Sequence, residues 1–356
     1  MTRRSILFGA LAVFAVAVLL NTPAAVALGE TKIFSSPRLT VRNMIGEIRI
    51  EAGGAEFEVV VDVQGKDARE GSIRVVASED ELDILFPEGT SDFVYPKLEG
   101  GEVNFEAKQS GNWASKMIGA MVGSGKINVS RNGTGLEVWA DVTIRVPNGL
   151  SLEVEHGVGK VVIDNADGDL QVSTRSGNVE VDGASGELSV ATGSGDVSLM
   201  RVRSVEAQVA TGSGDVRADD FDGDELQVAT GSGDVEVAMI RGQSIQVATG
   251  SGEINAREVD AESVELATGS GDVSLALDHM GGGKFSIGTG SGDIALTMPV
   301  GASADLHAET DGGEIRVALG DAEFQQQDPD EVRLTVGKGG ARVRLGSGNG
   351  DITIGN

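Results

Sequence analysis

The sequence predicts an all-β protein. Its expected form is a single-stranded parallel β-solenoid, or β-helix, of about ten right-handed coils with an N-terminal β-meander or hairpin insertion. Three observations carry this reading. A Thr-Gly-Ser-Gly motif returns at a near-constant interval: Thr192, Thr211, Thr230, Thr249, Thr268 and Thr289 are spaced by 19, 19, 19, 19 and 21 residues. On both sides of the motif apolar and polar residues alternate with period two, the mark of a strand with one buried face. No helical apolar pattern interrupts the repeats.

Counting each motif from its threonine as zero makes the register explicit. Position −4 reads Leu170, Leu188, Ala207, Leu226, Ile245, Val264 and Phe285, and position −2 is nearly all valine. Positions +5 and +7 continue the alternation, as in Val216 and Ala218 or Val235 and Val237. A further apolar column at +10, with Val202, Phe221, Ile240 and Val259, suggests a corner. Such a unit cannot bury its own apolar face. It has to stack on its neighbours, each repeat becoming one coil and equal positions forming columns about 4.8 Å apart.

Residues 1–27 read as an export signal. Arg3 and Arg4 precede an apolar run from Ile6 to Leu20, and Ala25-Val26-Ala27 is a small-residue cleavage site. Residues 28–50 hold the first strands, because Leu39, Val41, Ile48 and Ile50 obey the repeat register around "NMIGE". Residues 51–138 break the period yet contain strand-like segments such as "EFEVVVDV" and "ELDILF", so they are expected to form the insertion or an end cap. Within them, Trp113, Met117, Ile118 and Met121 make a short apolar stripe with helical spacing. It reads either as a plug for the end of the core or as a docking element. Residues 139–356 carry the solenoid repeats, and "AEFQQQDPDE" from Ala322 reads as a polar excursion among the last of them.

"ADVTIRVPNGLSLEVEHGVGKVVIDNADGDLQVSTRSGNVEV" and "ARVRLGSGNGDITI" resemble the exported bacterial β-strand-repeat domains known as putative adhesins, a family of unknown function. The resemblance runs from about Leu39 to Ile354. It implies a β-helix-like solenoid in the bacterial envelope and supplies no catalytic residues to carry over.

Composition narrows the function classes. The chain has 356 residues, no cysteine and a formal charge of −27; losing Arg3 and Arg4 with the leader takes this to −29. That balance opposes nucleic acid and anionic membranes as partners. A membrane contact is expected only through an uncleaved signal. Aromatic residues are 4% of the chain, few for stacking sugars or bases.

The three histidines, His156, His279 and His307, lie in separate repeats without nucleophile partners at informative spacing. Arg217 and Arg257 point outward, with no repeated acidic cluster expected around them, so a polysaccharide-cleaving enzyme is the third-ranked reading. Asp196, Asp215, Asp234, Glu253, Asp272 and Asp293 stack as an acidic column, readable as solvated turn residues or as a cation ladder. Calcium prefers six to eight oxygens, and one acid per coil is few. No cofactor is implied. The motif threonines and serines, with the Ala210, Ala229, Ala248 row and the Gln208, Gln227, Gln246 row, are expected to form an outward small-residue strip. The reading that follows is a non-catalytic exported binding or scaffold module for an envelope protein or polymer. A self-assembling structural rod is the alternative.

Overall fold

The computed structural model describes residues 28–106 and 126–356. The expected export signal and the expected apolar stripe of Trp113, Met117, Ile118 and Met121 lie outside the described residues. Within them there are 27 strands and no helix. Twenty-four strands form one continuous sheet, and Asp92–Val94, Val103–Glu106 and Lys126–Ser130 form a second.

The large sheet is two stacked columns, one on each side of the motif. In the first, Leu39, Leu152, Leu170, Leu188, Ala207, Leu226, Ile245, Val264, Phe285, Val343 and Leu306 follow one another in register. In the second, Ile48, Val161, Val179, Val197, Val216, Val235, Ile254, Val273, Ile294, Ile352 and Ile315 do the same. All these rungs are parallel. The first column's side chains are at most 3% exposed, so the two columns enclose one apolar core along the rod.

Between the second strand and the next tier the chain turns without leaving the sheet. The turn residue sits at +9 with positive φ: Asn165, Arg201, Asp220, Met239 and Glu258 have φ from 50° to 59°, and Gly183 stands in the same column at 76°. One left-handed residue per tier lets Val202, Phe221, Ile240 and Val259 at +10 point back into the core. The residue types at +9 share no property, which is why periodicity did not mark the column.

Sequence order and tier order part company at both ends. Ile48–Ala52 lies between Trp139–Val146 and Val161–Ser176, so the first coil is spliced in beneath the Leu150–Val158 tier. Ala341–Ser347 lies between Lys284–Thr289 and Ala304–Thr310, and Ile352–Gly355 lies between Ile294–Thr297 and Ile315–Ala318. The expectation that each repeat stacks on its chain neighbour therefore fails for these two coils. Glycine makes the C-terminal insertion sterically possible on both faces. A methyl on Gly350 would lie 1.9 Å from the Gly292 carbonyl oxygen, and one on Gly313 would lie 2.1 Å from that of Gly350.

The expected polar excursion at Ala322 is instead an outer strand. Ala322–Gln327 pairs antiparallel with Glu331–Val336, which pairs antiparallel with Ala304–Thr310 and closes that end of the core. As an outermost strand it needs no apolar face, so its sequence shows no alternation. At the other end Phe57–Gln64 joins Trp139–Val146 antiparallel and Leu28–Phe34 joins it in turn. Beside it Glu81–Leu85 pairs parallel with Arg38–Ile45, and Arg42 ties that strand to the rod through Glu81 at 3.0 Å, Asp83 at 3.1 Å and Glu155 at 2.5 Å.

Candidate functional site

The motif corner is where the repeat concentrates its polar groups, and it divides them into an inner and an outer column. The threonines belong to the inner one. Thr192, Thr211, Thr230, Thr249, Thr268 and Thr289 are only 6–7% exposed, which corrects the expectation that they face outward. Thr249 shows the reason. Its Oγ1 donates to the Gly233 carbonyl of the tier before, at 2.9 Å, and accepts the Gly252 N–H of its own tier, at 3.2 Å. Thr230, Thr268 and Thr289 repeat both bonds. The hydroxyls thus satisfy backbone groups that would be costly to bury unpaired.

The second glycine of the motif is required by the same contact. A methyl on Gly233, Gly252 or Gly271 would lie 1.8, 1.8 or 1.9 Å from the carbonyl oxygen of the glycine one tier before. Close stacking, rather than a left-handed φ, excludes every other residue there.

The inner column continues past the threonines. His156 pairs in register with Asn43 and Thr174 and is wholly buried. Its Nδ1 lies 3.1 Å from the Asn43 carbonyl oxygen and its Nε2 3.0 Å from that of Gly46. Burial pushes its pKa down to about 4, against the opposing pull of these carbonyls. The ring stands neutral in the threonine position of its tier. His279 and His307 lie in other tiers, near Asp260 at 3.5 Å and Glu331 at 3.1 Å respectively.

The acids form the outer column. The Oδ1 of Asp196 accepts the Asp215 N–H at 3.0 Å, that of Asp215 accepts from Asp234 at 2.9 Å, and that of Asp234 accepts from Glu253 at 2.8 Å. The ladder resumes with Asp272 to the Asp293 N–H at 2.7 Å and Asp293 to the Asp351 N–H at 2.8 Å. Between Glu253 and Asp272 no such bond forms, because the longer side chain carries its carboxylate past the amide. Asn178 plays the same part through its amide oxygen, accepting the Asp196 N–H at 2.8 Å. A neutral acceptor therefore suffices structurally. Among the described residues no group of three or more His, Cys, Asp or Glu side chains is clustered to hold a metal ion.

Arg217 and Arg257 do meet acids, contrary to the sequence expectation. Both pair with Glu236, one tier from each, and Arg217 also reaches Asp219 at 3.0 Å. Their guanidinium groups hold the Glu236 carboxyl below its usual range. The cluster is 38–46% exposed at the arginines, an ordinary surface ion network worth little. On the opposite side of the motif, the glutamine and alanine rows do face outward, lining a shallow groove of about 450 Å³.

A solid core with its periodic chemistry on the outside is the setting for the comparisons with known proteins. The Toastrack DUF4097 family model matches residues 60–355. The chain belongs to that family. Toastrack DUF4097 is a family of unknown function. No curated protein matches this Toastrack chain in sequence. Two solved structures align with it over most of its length. One is a putative adhesin from Parabacteroides distasonis, 10% identical, with a TM-score of 0.37 and coverage of 92% of this chain and 98% of that one. The other is a putative cell adhesion protein from Clostridium sporogenes, 12% identical, with a TM-score of 0.21 and coverage of 92% and 99%.

Proposed function

We propose that this chain is a non-catalytic, exported envelope protein, an adhesin-like binding or scaffold module that is periplasmic, cell-surface or secreted. The rod is read as a right-handed solenoid of about ten coils, following the preference of parallel connections. One observation carries the functional reading: the outward glutamine, alanine and acid positions recur in straight columns at the tier spacing of about 4.8 Å. A surface of that kind offers an extended partner the same contacts many times over, so weak single contacts add along its length. The test is a pull-down of cell-wall and envelope material with the purified chain. Specific, saturable capture supports a binding module, and no capture from any envelope fraction removes it.

A self-assembling rod is the second reading, favoured by unpaired strand edges at both ends. Ile33 on Leu28–Phe34 is 65% exposed and Phe324 on Ala322–Gln327 is 41% exposed. Sedimentation over a wide concentration range decides it: a monomer throughout defeats end-to-end assembly.

A further inference from the structure

Near the inserted sheet the outer column changes character. Where later tiers carry acids, these carry Lys160 and Asn178, and Arg175 stands where later motifs have their first glycine. The Arg175 guanidinium covers the Phe105 ring at 5.5 Å, tying the small sheet to the rod. Between the two lies a groove of about 780 Å³, bounded by residues 99–104 on one side and by the corners at 175–178 and 193–196 on the other. At Glu99, Ser176 and Gly177 it adjoins a more enclosed cavity of about 160 Å³ lined by Tyr95 and Lys97.

Two polar groups here have no hydrogen-bond partner. Tyr95 is 1% exposed, its ring edge-on to Trp139 at 5.6 Å, and its hydroxyl is unpaired. The Asn104 Oδ1 is unpaired on the groove wall. The Thr174 Oγ1 is unpaired as well, an exception in the inner column, but it lies on the core side of the corner and does not line the groove. Buried polar groups left unpaired are costly and mark places where another molecule completes the bonding.

The lining narrows the chemistry of that molecule. Glu99, Glu102 and Asp196 oppose an anion, and Lys97 is already held by Glu47 at 3.1 Å and Asp141 at 3.3 Å. Over a glycine-rich floor the amide side chains donate and accept and the carboxylates accept, a mixture that suits adjacent hydroxyl groups. The volume is that of a small-molecule site.

We propose that this groove binds a neutral, hydroxyl-rich oligosaccharide, with Asn104 and Asn178 on its walls and Tyr95 at its closed end. The assignment rests on the binding-module reading and deepens it. The experiment titrates the chain calorimetrically with cello-, malto- and chito-tetraose. At least one binds, Asn104→Ala and Asn178→Ala each weaken it tenfold or more, and Tyr95→Phe weakens it several-fold with an unchanged melting temperature. Asp272→Asn, far along the rod, leaves it unaltered. The proposal is overturned if none of the three binds, water then filling the groove, or if the asparagine variants bind like the parent. Envelope capture that persists in the Asn104→Ala, Asn178→Ala double variant sinks the groove alone and leaves the binding module standing. A parent chain that captures nothing and binds no probe removes both.

Discussion

The middle tiers and the two spliced tiers bury the same columns by different connections. From Thr192 to Thr268 each tier rests on its chain neighbours, and Thr249 bonds to a glycine only 16 residues away. In the spliced tiers the same bond spans the chain: His156 meets Gly46 across 110 residues, and Ser347 meets Gly292 across 55. Local stacking makes the middle nearly one-dimensional, its stability a sum over neighbours. The spliced tiers couple distant segments, so neither end of the rod can peel away tier by tier from a chain terminus.

The largest effect that probes this difference is a buried charge. Val228→Asp in the middle column is expected to cost about 4 kcal/mol or more, and Val343→Asp in the spliced tier at least as much. Urea unfolding followed by hydrogen exchange separates them. Val228→Asp opens neighbouring tiers first, whereas Val343→Asp loses protection together at 285–297 and 304–318. Identical exchange patterns would erase the distinction.

Acid tests the N-terminal splice. The His156 pKa lies at about 4 in the folded chain against 6.5 for an ordinary histidine, so the fold favours the neutral ring. This contribution is complete above pH 6.5 and is lost as pH falls toward 4, about 3 kcal/mol in all. Melting temperatures between pH 7 and 4 should drop more for the parent than for His156→Gln, and parallel curves would contradict the assignment.

A smaller contrast lies within the inner column. Thr249→Val strips a hydroxyl from two buried backbone groups and is expected to cost about 1–3 kcal/mol. Thr174→Val removes an unpaired hydroxyl and should be neutral or slightly stabilising. Equal losses in chemical denaturation would show that shape, not hydrogen bonding, governs the column.

The smallest effects concern the outer column. Glu253→Asp should close the gap in the ladder and add about 0.5–1 kcal/mol. Asp215→Asn should leave stability unchanged, because Asn178 already serves as the acceptor in its own tier. A large loss in Asp215→Asn would mean that the charge itself is structural.

These contrasts also mark what was legible in the sequence. Alternation at −4, −2, +5 and +7 identified the core columns because burial acts on each residue singly. The direction of Thr211 was misread, since a threonine serves a corner equally well from either side and only the stacked Gly195 carbonyl decides it. The left-handed column left little trace because only Asn165, Gly183 and Asp220 are types that favour such a φ, and Arg201, Met239 and Glu258 adopt it without being marked by their chemistry. The tier order was invisible for a different reason. "SGNGD" at Ser347 satisfies the register wherever it is placed, and nothing local says which two tiers it separates. Arg175 at the candidate groove and Lys160 at the adjoining cavity depart from the repeat but were not singled out from the sequence. Their meaning depended on the small sheet beside them.

The splice at 341–355 has a consequence in time. Those residues are the later ones to be synthesised, yet their place lies between two tiers made before them. Until they arrive, Phe285 and Leu306 face an empty slot rather than each other, and the far end of the rod has nothing to rest on. Folding can advance steadily through the middle as the chain emerges, but this end must wait and then close in one late, long-range step.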